Sequence, residues 1–238
     1  KQWDVYSAFD WPERLEPDAT WYMNPELISI HGTETWDGLS ETAQKRLSFY
    51  EIVNFFSFVL LGERPLIEGM THRMYRKATL GAVTDYLHHF VAEENKHMIM
   101  FGTFCSRYHA VYPEKKLVLP REYAKGEEDI AFFCKVLIVE ELGDYYNLKM
   151  MGDARIHPLV AKINKVHHID EARHLAFGRE FLREIAEKHL GKWSDHERAA
   201  FQKWLVEYLR SSWGDFYNPA VYRDAGLPAG PGHRRARL

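Results

Sequence analysis

The feature that most constrains the fold of this chain is a Glu-x-x-His motif that occurs twice. The first copy contains Glu94 and His97, and the second contains Glu171 and His174. Residues three positions apart lie on the same face of an α-helix, so the two side chains of each copy can point to one place. A carboxylate and an imidazole directed at one point are a typical pair of metal ligands. The repeat therefore predicts two long helices that share a metal site.

A further glutamate precedes each motif at the same distance. Glu63 lies 31 residues before Glu94, and Glu140 lies 31 residues before Glu171. Helical bundles with a two-metal carboxylate site take one glutamate from each of two helices and a Glu-x-x-His from each of the other two. The equal spacing therefore predicts two copies of one helix-loop-helix unit. We expect an all-α, ferritin-like antiparallel helical bundle around a buried dinuclear centre.

His167 is a candidate for an additional ligand. It lies four residues before Glu171, which places both side chains on one helix face. The neighbouring His168 and a partly polar helix face leave a second interpretation, in which His167 is a hydrogen-bonded surface histidine. The complete predicted ligand set is Glu63, Glu94, His97, Glu140, His167, Glu171 and His174.

Each motif also carries an acid before its glutamate and a base before its histidine: Glu93 and Lys96 in the first copy, Asp170 and Arg173 in the second. A histidine that binds a metal usually donates its other ring N–H to a carboxylate or a carbonyl. We expect Asp170 to orient His97, and Glu93 to orient His174, across the bundle. The two bases would neutralise these outer carboxylates.

The mixture of oxygen and nitrogen ligands favours iron or manganese, whereas thiolates would have favoured zinc or an iron-sulfur cluster. The four glutamates offset the charge of two divalent cations, which makes burial of the acids tolerable. We therefore predict two iron ions, in the Fe2+ and Fe3+ states, with manganese as the alternative.

The helical pattern divides the chain into an irregular aromatic arm (1–38), a bundle (39–217) and a flexible tail (218–238), all within one domain of 238 residues. Ser40 is placed to cap the first long helix. Gly62 and Pro65 flank Glu63, so we expect a bend or bulge there before the helix resumes through 66–75. The later helices are predicted at 80–112, 127–151, 158–189 and 195–213.

The charge and hydropathy of the chain exclude several classes of partner. The net charge is −3, and no long run of like charge indicates a nucleic-acid surface. No apolar stretch approaches the roughly 20 residues that cross a bilayer, and no secretory signal is recognisable. Cys105 and Cys134 lack a C-x-x-C spacing. We interpret them as free thiols in a reducing cytoplasm, with a disulfide as the alternative.

The two motifs, E-E-N-K-H and D-E-A-R-H, resemble the ligand motifs of the dioxygen-activating ferritin-like di-iron proteins. The H-x-x-x-E-x-x-H stretch that begins at His167 is similar to the third-histidine motif of the p-aminobenzoate N-oxygenase family, and the resemblance covers residues 51–184. It implies a di-iron enzyme that uses dioxygen and electrons to oxidise an amine. The Gly-Glu-Arg-Pro setting of Glu63 departs from the family pattern, and Glu68 is the alternative ligand.

From this resemblance we expect an oxygenase that converts the amine of a small molecule to a hydroxylamine, nitroso or nitro group, with electrons from an external donor. Asp144, Tyr145 and Asn147, one and two turns beyond Glu140, are candidates for polar substrate contacts. One alternative is a di-iron hydroxylase or desaturase that acts on C–H bonds of an aliphatic or carrier-bound substrate. Another is an iron-storage protein without an organic substrate. A homodimer is compatible with either enzyme.

Overall fold

The computed structural model describes residues 3–76, 82–113 and 123–227. Within these residues the chain is all-α, and the one β contact is an isolated bridge between Trp21 and Ile156. The α-helices are α1 (Glu34–Asp37), α2 (Glu41–Arg76), α3 (Ala82–Tyr108), α4 (Glu127–Met150), α5 (Pro158–His189), α6 (Asp195–Gly214) and α7 (Pro219–Asp224).

The bundle is built from two helix pairs. Helix α2 packs along α3, and α4 packs along α5. Short connections join the partners of each pair, so the partners run antiparallel. Contacts between α2 and α4, and between α3 and α5, hold the two pairs together. This arrangement confirms the all-α, ferritin-like bundle that the motif spacing predicted.

Two of the three hydrophobic clusters of the described residues take side chains of α2 from opposite sides of Glu63. The larger cluster contains Phe56 of α2 together with Phe101 of α3, both fully buried. The smaller one contains Leu66 of α2 together with Phe133 of α4. Apolar packing on both sides of the Glu63 position keeps bulk water away from the middle of the bundle.

Pro65 lies inside α2 without ending it. The helix continues from Glu41 to Arg76, so the predicted break before residue 66 is wrong, and the bend expected at Pro65 stays a prediction. Proline removes the N–H that would bond to the carbonyl of Leu61, which costs one backbone hydrogen bond. Because Leu66 on the next turn is buried in the smaller cluster, tertiary packing holds the helix together across this gap.

The arm before α2 is irregular but contributes to the core. Among residues 3–38, a 3₁₀ turn at Pro25–Leu27 and α1 are the regular elements. Tyr22 and Ile30 are almost completely buried against the bundle. The backbone N–H of His157 donates to the carbonyl of Trp21 over 2.8 Å, which attaches the arm to the start of α5.

The predicted flexible tail from residue 218 is wrong through residue 227. Asn218 caps α7 by accepting a hydrogen bond from the N–H of Ala220. Val221 and Tyr222 of that helix are buried in the larger cluster. The Pro, Gly and Arg content suggested disorder, but a cap and an apolar helix face are enough to dock this segment. Residues 228–238 lie outside the described part of the chain.

None of the helices described is long and apolar enough to cross a membrane. Both cysteines carry free thiols, with Cys105 buried and Cys134 partly buried.

Candidate metal centre

The structure brings the predicted ligands into one buried cluster in the middle of the bundle. Helix α2 contributes one glutamate, α3 a Glu-x-x-His, α4 one glutamate, and α5 the remaining three side chains. Each of the seven side chains belongs to a residue that is no more than 4% exposed: Glu63, Glu94, His97, Glu140, His167, Glu171 and His174. Their ligand atoms form three overlapping groups in which all atoms lie within 4.8 Å of one another. Glu68, the alternative to Glu63, is exposed and lies outside these groups.

The two Glu-x-x-His motifs face each other, and both imidazoles lie nearer to Glu94 than to Glu171. Nδ1 of His97 lies 2.7 Å from Glu94 within its own motif and 3.3 Å from Glu171 in the other. Nδ1 of His174 lies 2.8 Å from Glu94 and 3.3 Å from Glu171. Each carboxylate therefore touches both Nδ1 atoms. The i, i+3 spacing supplies the contact within each motif, and the packing of α3 against α5 supplies the contact between the motifs.

The outer acids contact the opposite edge of each ring. Nε2 of His97 lies 3.3 Å from Asp170, and Nε2 of His174 lies 3.0 Å from Glu93, which are the pairings expected from the motifs. Burial alone would raise the pKa of Asp170, but hydrogen bonds from His97 and from the indole of Trp3 lower it below its ordinary value. An ionised acid on Nε2 fixes the ring orientation and keeps Nδ1 facing the cluster.

The guanidinium of Arg173 contacts both outer acids. Its Nη2 atom lies 2.6 Å from Glu93 and 2.6 Å from Asp170. The ammonium of Lys96 instead lies 5.8 Å from the ring centroid of Trp3, so its predicted pairing with an outer acid is wrong. The two acids meet on the same side of the bundle, where one planar guanidinium reaches both.

His167 is fully buried and belongs to the cluster, which excludes the surface interpretation. Its Nε2 lies 3.0 Å from an oxygen of Glu171, and its Nδ1 lies 2.8 Å from the side-chain amide of Asn147. With the amide nitrogen facing Nδ1, the buried Oδ1 of Asn147 has no hydrogen-bond partner. The opposite amide orientation satisfies that oxygen with Nδ1–H and leaves a lone pair on Nε2. Asn147 can thus hold His167 in the tautomer that binds a metal.

Several atoms of the cluster satisfy the requirements for metal ligands. Oε2 of Glu63, Oε1 of Glu94, Nε2 of His167 and Oε1 of Glu171 are buried and lack a hydrogen-bond partner among the described residues. Some of them approach a neighbour at hydrogen-bonding distance, but without the geometry of a hydrogen bond. Buried polar atoms in proteins are normally paired. A cation between these atoms would pair them, so the residues present fit a metal centre.

The protonation of the cluster supports the same fit. Burial and the neighbouring carboxylates raise the pKa values of Glu63 and Glu140 well above their ordinary value. The pKa of His97 is raised as well. Burial opposes its positive charge, but the neighbouring Glu94 and Asp170 favour that charge and raise the pKa to about 9. Protons therefore balance the acidic charge in the absence of a cation, and bound metal ions would replace them.

A cavity of about 470 Å³ reaches this cluster from the side of α4. Its walls come from α2, α4, α6 and the residues that follow α3. One face of α4 lines it with Phe132, Lys135, Val136, Val139 and finally Glu140. The i, i+3, i+4, i+7 spacing places these residues along a single stripe, which leads from the cavity to a predicted ligand.

The three polar residues predicted to contact a substrate do not line this cavity. Asp144 pairs with Nδ1 of His168 over 2.7 Å, Asn147 contacts His167, and Tyr145 is 51% exposed. They lie in the C-terminal half of α4, beyond Glu140, whereas the cavity follows the N-terminal half. The prediction is therefore wrong because it extended the helix face in the wrong direction.

Sequence reasoning missed two residues of this region. Lys135 had a usable signal, since it is a lysine on an apolar helix face five residues before Glu140. Trp3 had none, because its contact with Asp170 joins residues 167 positions apart.

Comparison with known proteins identifies one family and several relatives. The family model described as p-aminobenzoate N-oxygenase AurF matches residues 1–237. Uncharacterized protein Rv0885 of Mycobacterium tuberculosis and uncharacterized protein Mb0909 of Mycobacterium bovis are each 25% identical to the chain over 197 residues. The alignment covers 77% of this chain and 56% of each relative, so the chain spans about half the length of the curated relatives it matches. No solved structure matches the chain significantly.

Proposed function

The chain belongs to the p-aminobenzoate N-oxygenase AurF family, and on that premise we propose that it is a dioxygen-dependent di-iron enzyme that oxidises the amine of a small molecule. The observation that carries the proposal is the buried cluster of four glutamates and three histidines, with a cavity lined by one of those glutamates. The cluster provides a metal centre, and the cavity provides a place for an organic substrate beside it.

Two iron ions would be held by the clustered side chains Glu63, Glu94, His97, Glu140, His167, Glu171 and His174. When bound, they would supply the dioxygen activation that no protein side chain can provide. The overall reaction balances when one oxygen atom of dioxygen is added to the amine and the other leaves as water, with two electrons and two protons from outside. An external donor is therefore part of the proposal, and repetition of the step would carry a hydroxylamine toward nitroso and nitro products.

The protein's own part is to hold the ligands and to orient the substrate. Asp170 and Glu93 fix the rings of His97 and His174, and Asn147 fixes that of His167. The hydrophobic clusters close the centre to water on the two sides that they occupy. Exclusion of water on these two sides strengthens electrostatic contacts at the centre.

Lys135 supports a substrate that carries an anionic group. It lines the cavity, and none of the described side chains forms an ion pair with it. Burial lowers the pKa of its ammonium, and the charge of Arg73 lowers it further, so an anion in the cavity would relieve an unfavourable burial. Lys135 and Glu140 are five residues apart on one helix, a rise of about 7.5 Å. An aromatic ring with an amine and a carboxylate at opposite ends, as in p-aminobenzoate, spans this order of distance.

Single-turnover oxidation tests the proposal. Protein loaded with Fe2+ is mixed with ¹⁸O-labelled dioxygen and either p-aminobenzoate or aniline, which lacks the carboxylate. We expect mass spectrometry to find the label on nitrogen, with p-aminobenzoate oxidised in preference to aniline. Label that appears only on carbon would indicate a hydroxylase instead. Label that appears only in water, with no oxidised amine, would contradict an organic substrate of this class.

A further inference from the structure

Trp3 connects the surface of the protein to a buried predicted ligand. Its indole Nε1 donates to Oδ2 of Asp170 over 2.8 Å, and the same oxygen lies 3.3 Å from Nε2 of His97. The indole also stacks on the His97 ring, with centroids 6.3 Å apart and planes 10° apart. Trp3 is partly exposed, whereas His97 is fully buried. The three side chains therefore form a continuous hydrogen-bonded path from solvent to the candidate metal centre.

The other half of the centre shows that this path is more than a device for orienting a histidine. Glu93 contacts Nε2 of His174 just as Asp170 contacts that of His97. Among the described residues, no indole donates to Glu93, and the ring that packs on His174 is Phe90, which has no N–H. One acid is enough to orient a histidine, so Trp3 adds something that the His174 half lacks.

We propose that Trp3, Asp170 and His97 form the route by which electrons from an external one-electron donor protein reach the metal centre. The inference rests on the di-iron centre of the proposed function. The rate of electron tunnelling falls exponentially with distance. It falls less steeply along covalent and hydrogen bonds than across empty space between atoms. The indole offers a π surface at the protein boundary, and two hydrogen bonds link it to the centre.

The electron balance of the step is simple. An iron-sulfur or flavin protein loses one electron, and one Fe3+ becomes Fe2+; a second event reduces the other iron, and no bond to Trp3 forms or breaks. The Lys96 ammonium over the indole makes Trp3 harder to oxidise. This environment suits a residue that passes electrons inward and disfavours a stable tryptophan radical.

The test compares two reductants on the full chain loaded with iron and oxidised. Anaerobic stopped-flow absorbance follows the loss of the ferric signal after mixing with a reduced [2Fe–2S] ferredoxin, which is too large to enter the cavity, or with dithionite, which is small enough to use it. Trp3→Phe is the test variant. Trp11→Phe is the matched control, because Trp11 lies in the same arm and its described ring contacts are with Phe9 and Tyr108.

We expect Trp3→Phe to keep two irons and the same midpoint potential, while its reduction by ferredoxin slows by about tenfold or more, the scale on which outer partners of metal ligands act. Reduction by dithionite, and both rates of the Trp11→Phe control, should match those of the unmodified protein. An unchanged ferredoxin rate would overturn the route. So would equal slowing with both reductants, because that result indicates an altered centre.

A second variant distinguishes an electron-transfer role of Trp3 from a structural role. Trp3→His keeps a flat ring with an N–H that can reach Asp170, and it should recover part of the ferredoxin rate lost in Trp3→Phe. Loss of iron from both variants would show that Trp3 is structural and would overturn the proposal. Amine oxidation is measured separately, so a protein that fails to oxygenate amines but shows the selective Trp3→Phe defect contradicts the proposed substrate class and not the route.

Discussion

Glu51 is a buried acid outside the metal cluster, and its replacement by glutamine should stabilise the protein in a pH-dependent way. It lies in α2 and is 3% exposed. Its Oε1 accepts hydrogen bonds from the backbone N–H and the hydroxyl of Ser29, and that hydroxyl lies 2.7 Å from the hydroxyl of Tyr222. No described cation pairs with it, and burial raises its pKa from 4.5 to about 7.

The sign and the size of the effect follow from that shift. The folded protein holds the Glu51 proton up to about pH 7, whereas the unfolded chain loses it near pH 4.5. Stability is therefore lost as the pH rises between these values and levels off above them. The difference of about 2.5 pKa units corresponds to about 3 kcal/mol of unfolding free energy. Glutamine keeps an oxygen acceptor for Ser29 and cannot ionise.

Guanidinium denaturation at pH 5, 6, 7 and 8 measures this prediction. Glu51→Gln should exceed the unmodified protein by less than about 1 kcal/mol at pH 5 and by about 3 kcal/mol at pH 8. Glu68→Gln is the matched control, because Glu68 is exposed on the same helix; it should change stability by less than about 0.5 kcal/mol at every pH. A stability difference between Glu51→Gln and the unmodified protein that stays constant from pH 5 to 8 would refute the reasoning.

Three further predictions concern the centre, the cavity and the packing. Asn147→Leu removes the partner of His167 Nδ1, so iron affinity measured by competition with a chelator should fall by about tenfold to a hundredfold; full affinity would show that the amide does not orient the ring. Lys135→Met removes the cavity cation, so KM for p-aminobenzoate should rise by about tenfold or more while that for aniline stays constant; an equal change for both substrates would contradict anion pairing. Gly69→Ala places a Cβ 2.1 Å from a ring carbon of Phe132, so thermal denaturation should show a loss of about 1–3 kcal/mol; an unchanged melting temperature would mean that the ring moves into the cavity without cost.

The parts of the structure that could be predicted are those governed by local spacing. A separation of three or four residues places side chains on one helix face whatever the rest of the chain does. For this reason the clustering of Glu94 with His97, and of Glu171 with His174, follows from the sequence. The equal distance from Glu63 and Glu140 to these motifs likewise predicted two equivalent helix-loop-helix units, and with them the four-helix arrangement of the bundle.

The errors arose where distant packing overrides local chemistry. Pro65 does not interrupt α2, because burial of the neighbouring turn outweighs one lost hydrogen bond. The segment at 219–224 forms a docked helix, because its apolar side chains meet a core surface that no local pattern reveals. Lys96 contacts Trp3 for a similar reason: the folded arm brings these two residues together although they are 93 positions apart in the sequence.

The guanidinium of Arg173 ties Glu93 and Asp170 together, and this bridge has a consequence for how the centre fills. The same guanidinium contacts the acid behind each histidine. A change of charge at one ring therefore alters the electrostatic environment of the other through Arg173. Binding of the first iron ion should then favour binding of the second. Iron titration should accordingly pass from empty to doubly loaded protein with few singly loaded molecules, and a large singly loaded population would argue that the two positions act alone.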